Sequence, residues 1–204
     1  MNKSPIARFT LSIAFWLPAC FGIWYFAAVP LSAPVAWMLD VAMPWLFPTL
    51  IDRIQQSGDR FAVLTLLEMP QRYPGDMLVE PIVYYINPLQ YGYSIPLYTA
   101  LLLASPGKIA KKVFYWLIGI AILLFVQSFG VATNVIKIFV FDSIPEARIR
   151  LGFSGLDYEI LALSYQFGFL IFPALAPIVV WFWQFREFVK SLTVVGMAQA
   201  HADN

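Results

Sequence analysis

Residues 113–141 read VFYWLIGIAILLFVQSFGVATNVIKIFVF, with Lys137 the only charge. A helix that crosses a bilayer needs about 20 predominantly apolar residues, and this run exceeds that. Further apolar segments lie near 10–30, 88–105 and 161–184. A soluble core needs no such uninterrupted runs. The pattern predicts an all-α membrane protein with about four transmembrane helices, forming a single integral membrane domain over 1–204. Composition agrees, since only 12% of residues are charged and 60% are hydrophobic. Ordinary soluble domains carry about twice that charged share. The lipid bilayer is therefore the first partner. A net charge of +1 offers no argument for nucleic acid.

The placement of charges sets an expected topology. Lys3 and Arg8 precede the first span, Lys108, Lys111 and Lys112 follow the second, and Arg186 and Lys190 follow the fourth. The other gaps are acid-rich: Asp52, Asp59, Glu68, Asp76 and Glu80 fall in one, and Asp142, Glu146, Asp157 and Glu159 in the other. Basic flanks stay in the cytoplasm. Both termini, with 106–112 and 185–204, are expected inside; 31–87 and 142–160 are expected outside. The first segment has the basic start and apolar middle of a signal peptide. Its length, with Trp16, Pro18, Trp24 and Tyr25, favours a retained helix.

Between the first two spans the character changes. Residues 31–50 are apolar but broken by Pro34, Pro44 and Pro48 and carry Asp40. A central carboxylate in lipid is costly, so an interfacial helix is expected there, with Trp37 and Trp45 at headgroup level. Phe61, Val63, Thr65, Leu67 and Met69 alternate as a strand does. Pro70, Pro74 and Gly75 supply a turn, and 77–85 reads as a second strand. A small extracytoplasmic β-hairpin results, one that must lean on something else to be stable. Residues 142–160 read as an amphipathic surface helix and loop, and the tail from Ser191 as weakly structured.

Few residues suit catalysis. His201 is the only histidine and Cys20 the only cysteine, the latter inside the first apolar run. Paired-histidine zinc sites and histidine-served nucleophiles are excluded. No cofactor or metal is expected. An aspartyl pair of Asp40 with Asp76 or Glu80 has no motif to hold it. On the third span, Gln127 and Asn134 are seven residues apart and share a face, with Lys137 one turn further. Tyr165 and Gln166 are placed to face them. Helix glue is the simpler reading of that face; a transport path is the rival.

The most specific stretch is Asn87-Pro88-Leu89-Gln90-Tyr91-Gly92-Tyr93-Ser94-Ile95-Pro96-Leu97-Tyr98. Asn-Pro starts a helix at no cost, the tyrosines suit an interface, and Gly92 permits close backbone approach. With Ala100-Leu101-Leu102-Leu103-Ala104 behind it, this pattern resembles the small membrane proteins associated with exosortase H in Gram-negative bacteria. The resemblance is best over 84–105. It extends more loosely to the four-span layout, the hairpin and the length. It implies a place in the bacterial inner membrane beside a transpeptidase-like enzyme that processes C-terminal sorting tails. Exosortases resemble multi-span enzymes with a cysteine, an arginine and a histidine in the site, a set this chain lacks.

The expected function is therefore a non-enzymatic inner-membrane accessory protein of an exosortase-type sorting system. It would dock another integral membrane protein, an exosortase among the candidates, through the outer hairpin and segment 87–98. Asn87, Pro88, Tyr91, Gly92, Tyr93 and Pro96 are the candidate partner-binding residues. The alternative is a transporter or channel subunit using Gln127, Asn134, Lys137 and Gln166.

Overall fold

A computed structural model describes residues 5–69 and 81–202, with side chains as far as 194. Among the described residues, three helices are long and apolar enough to cross a membrane. The first, α1, runs unbroken over Pro5–Leu46. The second comprises α4 (Ile109–Lys137) and a π-helical turn, Ile138–Asp142. The third joins α6 (Gly155–Gln166), a π-helical turn (Phe167–Ile171) and α7 (Phe172–Gln184). Short elements fill the gaps: β1 (Ile51–Ser57), β2 (Arg60–Glu68), β3 (Pro81–Ile86), α2 (Leu89–Gly92), α3 (Ser94–Ala104) and α5 (Pro145–Leu151). A last helix, α8, covers Arg186–Ala202, where a weakly structured tail was expected.

Other expectations change as well. Residues 31–46 are not a separate interfacial helix but the far end of α1. Proline inside a helix removes a hydrogen bond, yet membrane helices tolerate it, and α1 carries Pro18, Pro30, Pro34 and Pro44. With 42 residues, α1 has about twice the roughly 20 that a single crossing needs. The hairpin is instead a three-stranded antiparallel sheet in the order β1-β2-β3. β1 was not anticipated, and the turn placed at 70–76 and the strand start at 77–80 lie outside the described residues. The helix at 94–104 has 11 residues, so by length it does not count as a fourth spanning helix.

The chain gathers into two compact units. One unit takes 28–92 and 124–172. Its core is built from stripes with helical and strand spacing. Val35, Leu39 and Met43 of α1 and Val131, Val135 and Phe139 on and just beyond α4 recur every fourth residue. They pack with Ile54, Phe61, Val63, Leu67, Ile82 and Ile86 of the sheet. Gly58 closes the β1–β2 hairpin at φ +62°, a conformation glycine adopts without steric cost. Asp40 does not face lipid unpaired: its Oδ1 accepts the Ile54 N–H at 2.8 Å. The Gln56 side chain donates to the Val29 carbonyl, also at 2.8 Å. Together they bind the outer margin of β1 to α1.

The other unit takes the described parts of 1–27, 93–123 and 173–204. Polar side chains fasten its helices. Trp116 Nε1 donates to Thr99 Oγ1 at 3.1 Å, and Trp181 Nε1 to Ser105 Oγ at 2.7 Å. The Phe9 and Trp181 rings stack with centroids 5.6 Å apart.

Candidate functional site

Segment 87–98 is held by the chain itself. Asn87 Oδ1 accepts the Leu89 N–H at 3.0 Å and caps α2. The buried Pro88 carbonyl accepts Gln127 Nε2 at 3.1 Å. Tyr91 is 1% exposed; it meets the Phe169 ring edge-on at 5.8 Å and lies over Gly130, with no room for a Cβ. Gly168 presses on Gly130 from the other helix: a Cβ at Gly130 would stand 2.8 Å from the Gly168 carbonyl oxygen. The two glycines thus form a close crossing that Tyr91 closes. Gly92 is buried as well.

In the other unit, Pro96 and Tyr98 are buried. Tyr98 covers Gly119, and its hydroxyl donates toward the Tyr115 carbonyl at 2.5 Å and Gln184 Oε1 at 2.8 Å. Of the six candidate partner-binding residues, only Asn87 and Tyr93 keep partial exposure.

The polar face of α4 is brought together in part. Gln127 is buried, with Nε2 spent on Pro88 and Oε1 unpartnered among the described residues. Asn134 is half-buried. Lys137 Nζ pairs with Asp142 at 3.0 Å across the π-helical turn and sits 5.6 Å from the centroid of the Tyr165 ring. Gln166 is exposed, so Tyr165, rather than Gln166, joins this face.

For catalysis the geometry offers little. Cys20 is buried in α1. Asp40 is committed to Ile54, while Asp76 and Glu80 fall outside the described residues, as does the His201 side chain. Among the described residues, no three His, Cys, Asp or Glu side chains gather as metal ligands would.

The sheet presents a further surface. Register places Gln55, Ala62 and Tyr85 in one row and Arg53, Leu64 and Val83 in the next. Directly paired residues share a face, and this face is opposite the one carrying Ile54, Phe61, Val63 and Ile86. Tyr85 is 58% exposed, and Leu66, on the same face, is 45% exposed. An apolar stripe of Leu64, Leu66, Val83 and Tyr85 is thus edged by Arg53 and Gln55. The alternation within 61–69 was the available signal for it. Beside the sheet, Arg150 pairs with Glu146 and donates to the Thr49 carbonyl at 2.8 Å. Arg148 donates to the Val140 carbonyl at 2.9 Å, satisfying an acceptor at the end of the second long helix.

A family model described as "Exosortase H-associated membrane protein" matches residues 3–188. Comparison with curated proteins and with solved structures found no match to either.

Proposed function

This chain belongs to the exosortase H-associated membrane protein family, and we propose that it serves there as a non-enzymatic accessory protein of the bacterial inner membrane. Its work is to hold a membrane partner, the exosortase first, against the open face of the β-sheet. The observation that carries this reading is the stripe of Leu64, Leu66, Val83 and Tyr85. It is a compact apolar surface with a polar border, the pattern of a protein interface. Segment 87–98 contributes by placement. Its buried Pro88 and Tyr91 fix the chain directly after β3, so the stripe is presented on a rigid mount.

The same segment supplies the fourth crossing in this proposal. Residues 88–105 are an apolar stretch that approaches the roughly 20 residues a crossing needs. Four crossings return both termini to the cytoplasm, in keeping with the lysine distribution.

Co-purification tests the reading. Wild-type protein should retain the exosortase encoded in the same organism, and Leu66→Ser with Tyr85→Ser should lose most of it while the fold stays intact. Retention by the double variant at wild-type level would rule out the stripe as the contact.

A further inference from the structure

Around the α3–α4 turn, two neighbouring concavities differ sharply in character. A cleft of about 300 Å³ is lined by Lys111, Lys112, Tyr115, Gln184 and Arg186, with Glu187 the only acid among the described residues of its wall. Glu187 is engaged by cations, with Arg186 Nε at 3.6 Å and Lys190 Nζ at 3.2 Å. Lys111 Nζ lies 5.2 Å from the centroid of the Tyr115 ring. Around the corner of α4 a second hollow of about 260 Å³ is apolar, formed by Leu102, Leu103, Ile109, Val113 and Trp116. Lys112 lines both.

A cationic cleft that shares a wall with an apolar groove matches the two ends of one molecule. We propose that this pair of hollows binds a single anionic phospholipid, its phosphate headgroup among Lys111, Lys112 and Arg186 and one acyl chain along Leu103, Val113 and Trp116. Charge complementarity selects the headgroup, and basic pockets between membrane helices take such headgroups elsewhere. The first N–H groups of α4, beginning at Ile109, add positive potential on the same side. The apolar groove separates this ligand from free phosphate, which has no use for it. The lipid stands at the basic end of the helices and is independent of any partner on the sheet.

Native mass spectrometry of the full chain in detergent reads the outcome directly. Titration with dioleoyl phosphatidylglycerol should give one retained lipid per chain, well ahead of dioleoyl phosphatidylcholine. Removing two charges in Lys111→Gln with Arg186→Gln should weaken phosphatidylglycerol binding by about 25-fold, at about five-fold per charge. Filling the groove with Leu103→Trp should reduce lipid binding while leaving the cationic cleft unchanged. Equal retention of both lipids, or unchanged affinity in the charge variant, would overturn the proposal. So would thermal stabilisation by inorganic phosphate alone that matches the lipid's. A second charge variant, Lys111→Glu, guards against loss of folding as an explanation, since Lys111 is exposed; it should fold and bind still more weakly.

Discussion

Replacing Gly130 by alanine sets two opposing effects against each other, and the structure decides their balance. In a helix interior alanine is favoured over glycine by about 1 kcal/mol. At Gly130, however, the added methyl meets the Tyr91 ring and stands 2.8 Å from the Gly168 carbonyl oxygen. The ring could swing only by leaving its contact with Phe169, and a backbone oxygen cannot rotate away. Overpacking of this kind costs about 1–3 kcal/mol, and rigid backbone on one side puts the cost toward the upper end. The expected net is a loss of about 1–2 kcal/mol, a factor of roughly 5–30 in the folded-to-unfolded ratio. Gly22→Ala is the matched control, because nothing lies within 4 Å of a Cβ there; it should be neutral or stabilise by up to about 1 kcal/mol. Equilibrium unfolding by dodecyl sulfate in mixed micelles, followed by tryptophan fluorescence, measures both. The reasoning fails if Gly130→Ala is as stable as wild type, or if Gly22→Ala falls by as much.

Three more outcomes follow from named contacts. Asp40→Ala removes the acceptor of the Ile54 N–H, so stability should drop by about 1–3 kcal/mol and amide exchange in a peptide covering 50–57 should accelerate; unchanged exchange would contradict the role given to Asp40. Asp157 accepts the Ser154 N–H at 2.7 Å and its hydroxyl at 2.8 Å at the start of α6, so Asp157→Ala should lower the unfolding midpoint by loss of the cap. In a Cys20→Ala background, Asp59→Cys should react with an impermeant maleimide from outside spheroplasts and Lys108→Cys only after permeabilisation. Labelling of both from one side would defeat the proposed topology.

How much the sequence disclosed depended on whether period or distance carried the information. The long spans were legible because lipid demands continuous apolarity, and 113–141 and 161–184 have it. Strand β2 was legible because Phe61, Val63, Thr65 and Leu67 keep a period of two. β1 was hidden by a β-bulge between Ile51 and Arg53. It sets its buried residues Ile51 and Ile54 three apart, breaking the alternation that marks a strand. The far end of α1 was hidden by its prolines and by Asp40, whose partner belongs to a strand the pattern did not show. In segment 87–98 the unusual residues were visible, but their reason was not. Nothing local announces that Tyr91 and Gly168 converge on Gly130, because that contact depends on how distant helices cross. Gly92 is readable as a place of close approach and Tyr91 as an interface tyrosine; both are buried within the chain.

The sealing of the β1 margin has a consequence for how this protein behaves in company. An unguarded strand border invites an identical border from the next molecule, and sheets that meet so can grow into filaments. Here a carboxylate and a carboxamide from opposite elements latch that border shut, with Asp40 on the Ile54 amide and Gln56 on the Val29 carbonyl. A neighbour pairing along it would have to displace Asp40 from the Ile54 amide. Crowding in a membrane patch thus leaves each copy separate at this rim, and Asp40 acts as a safeguard against self-templating as much as a prop for its own sheet.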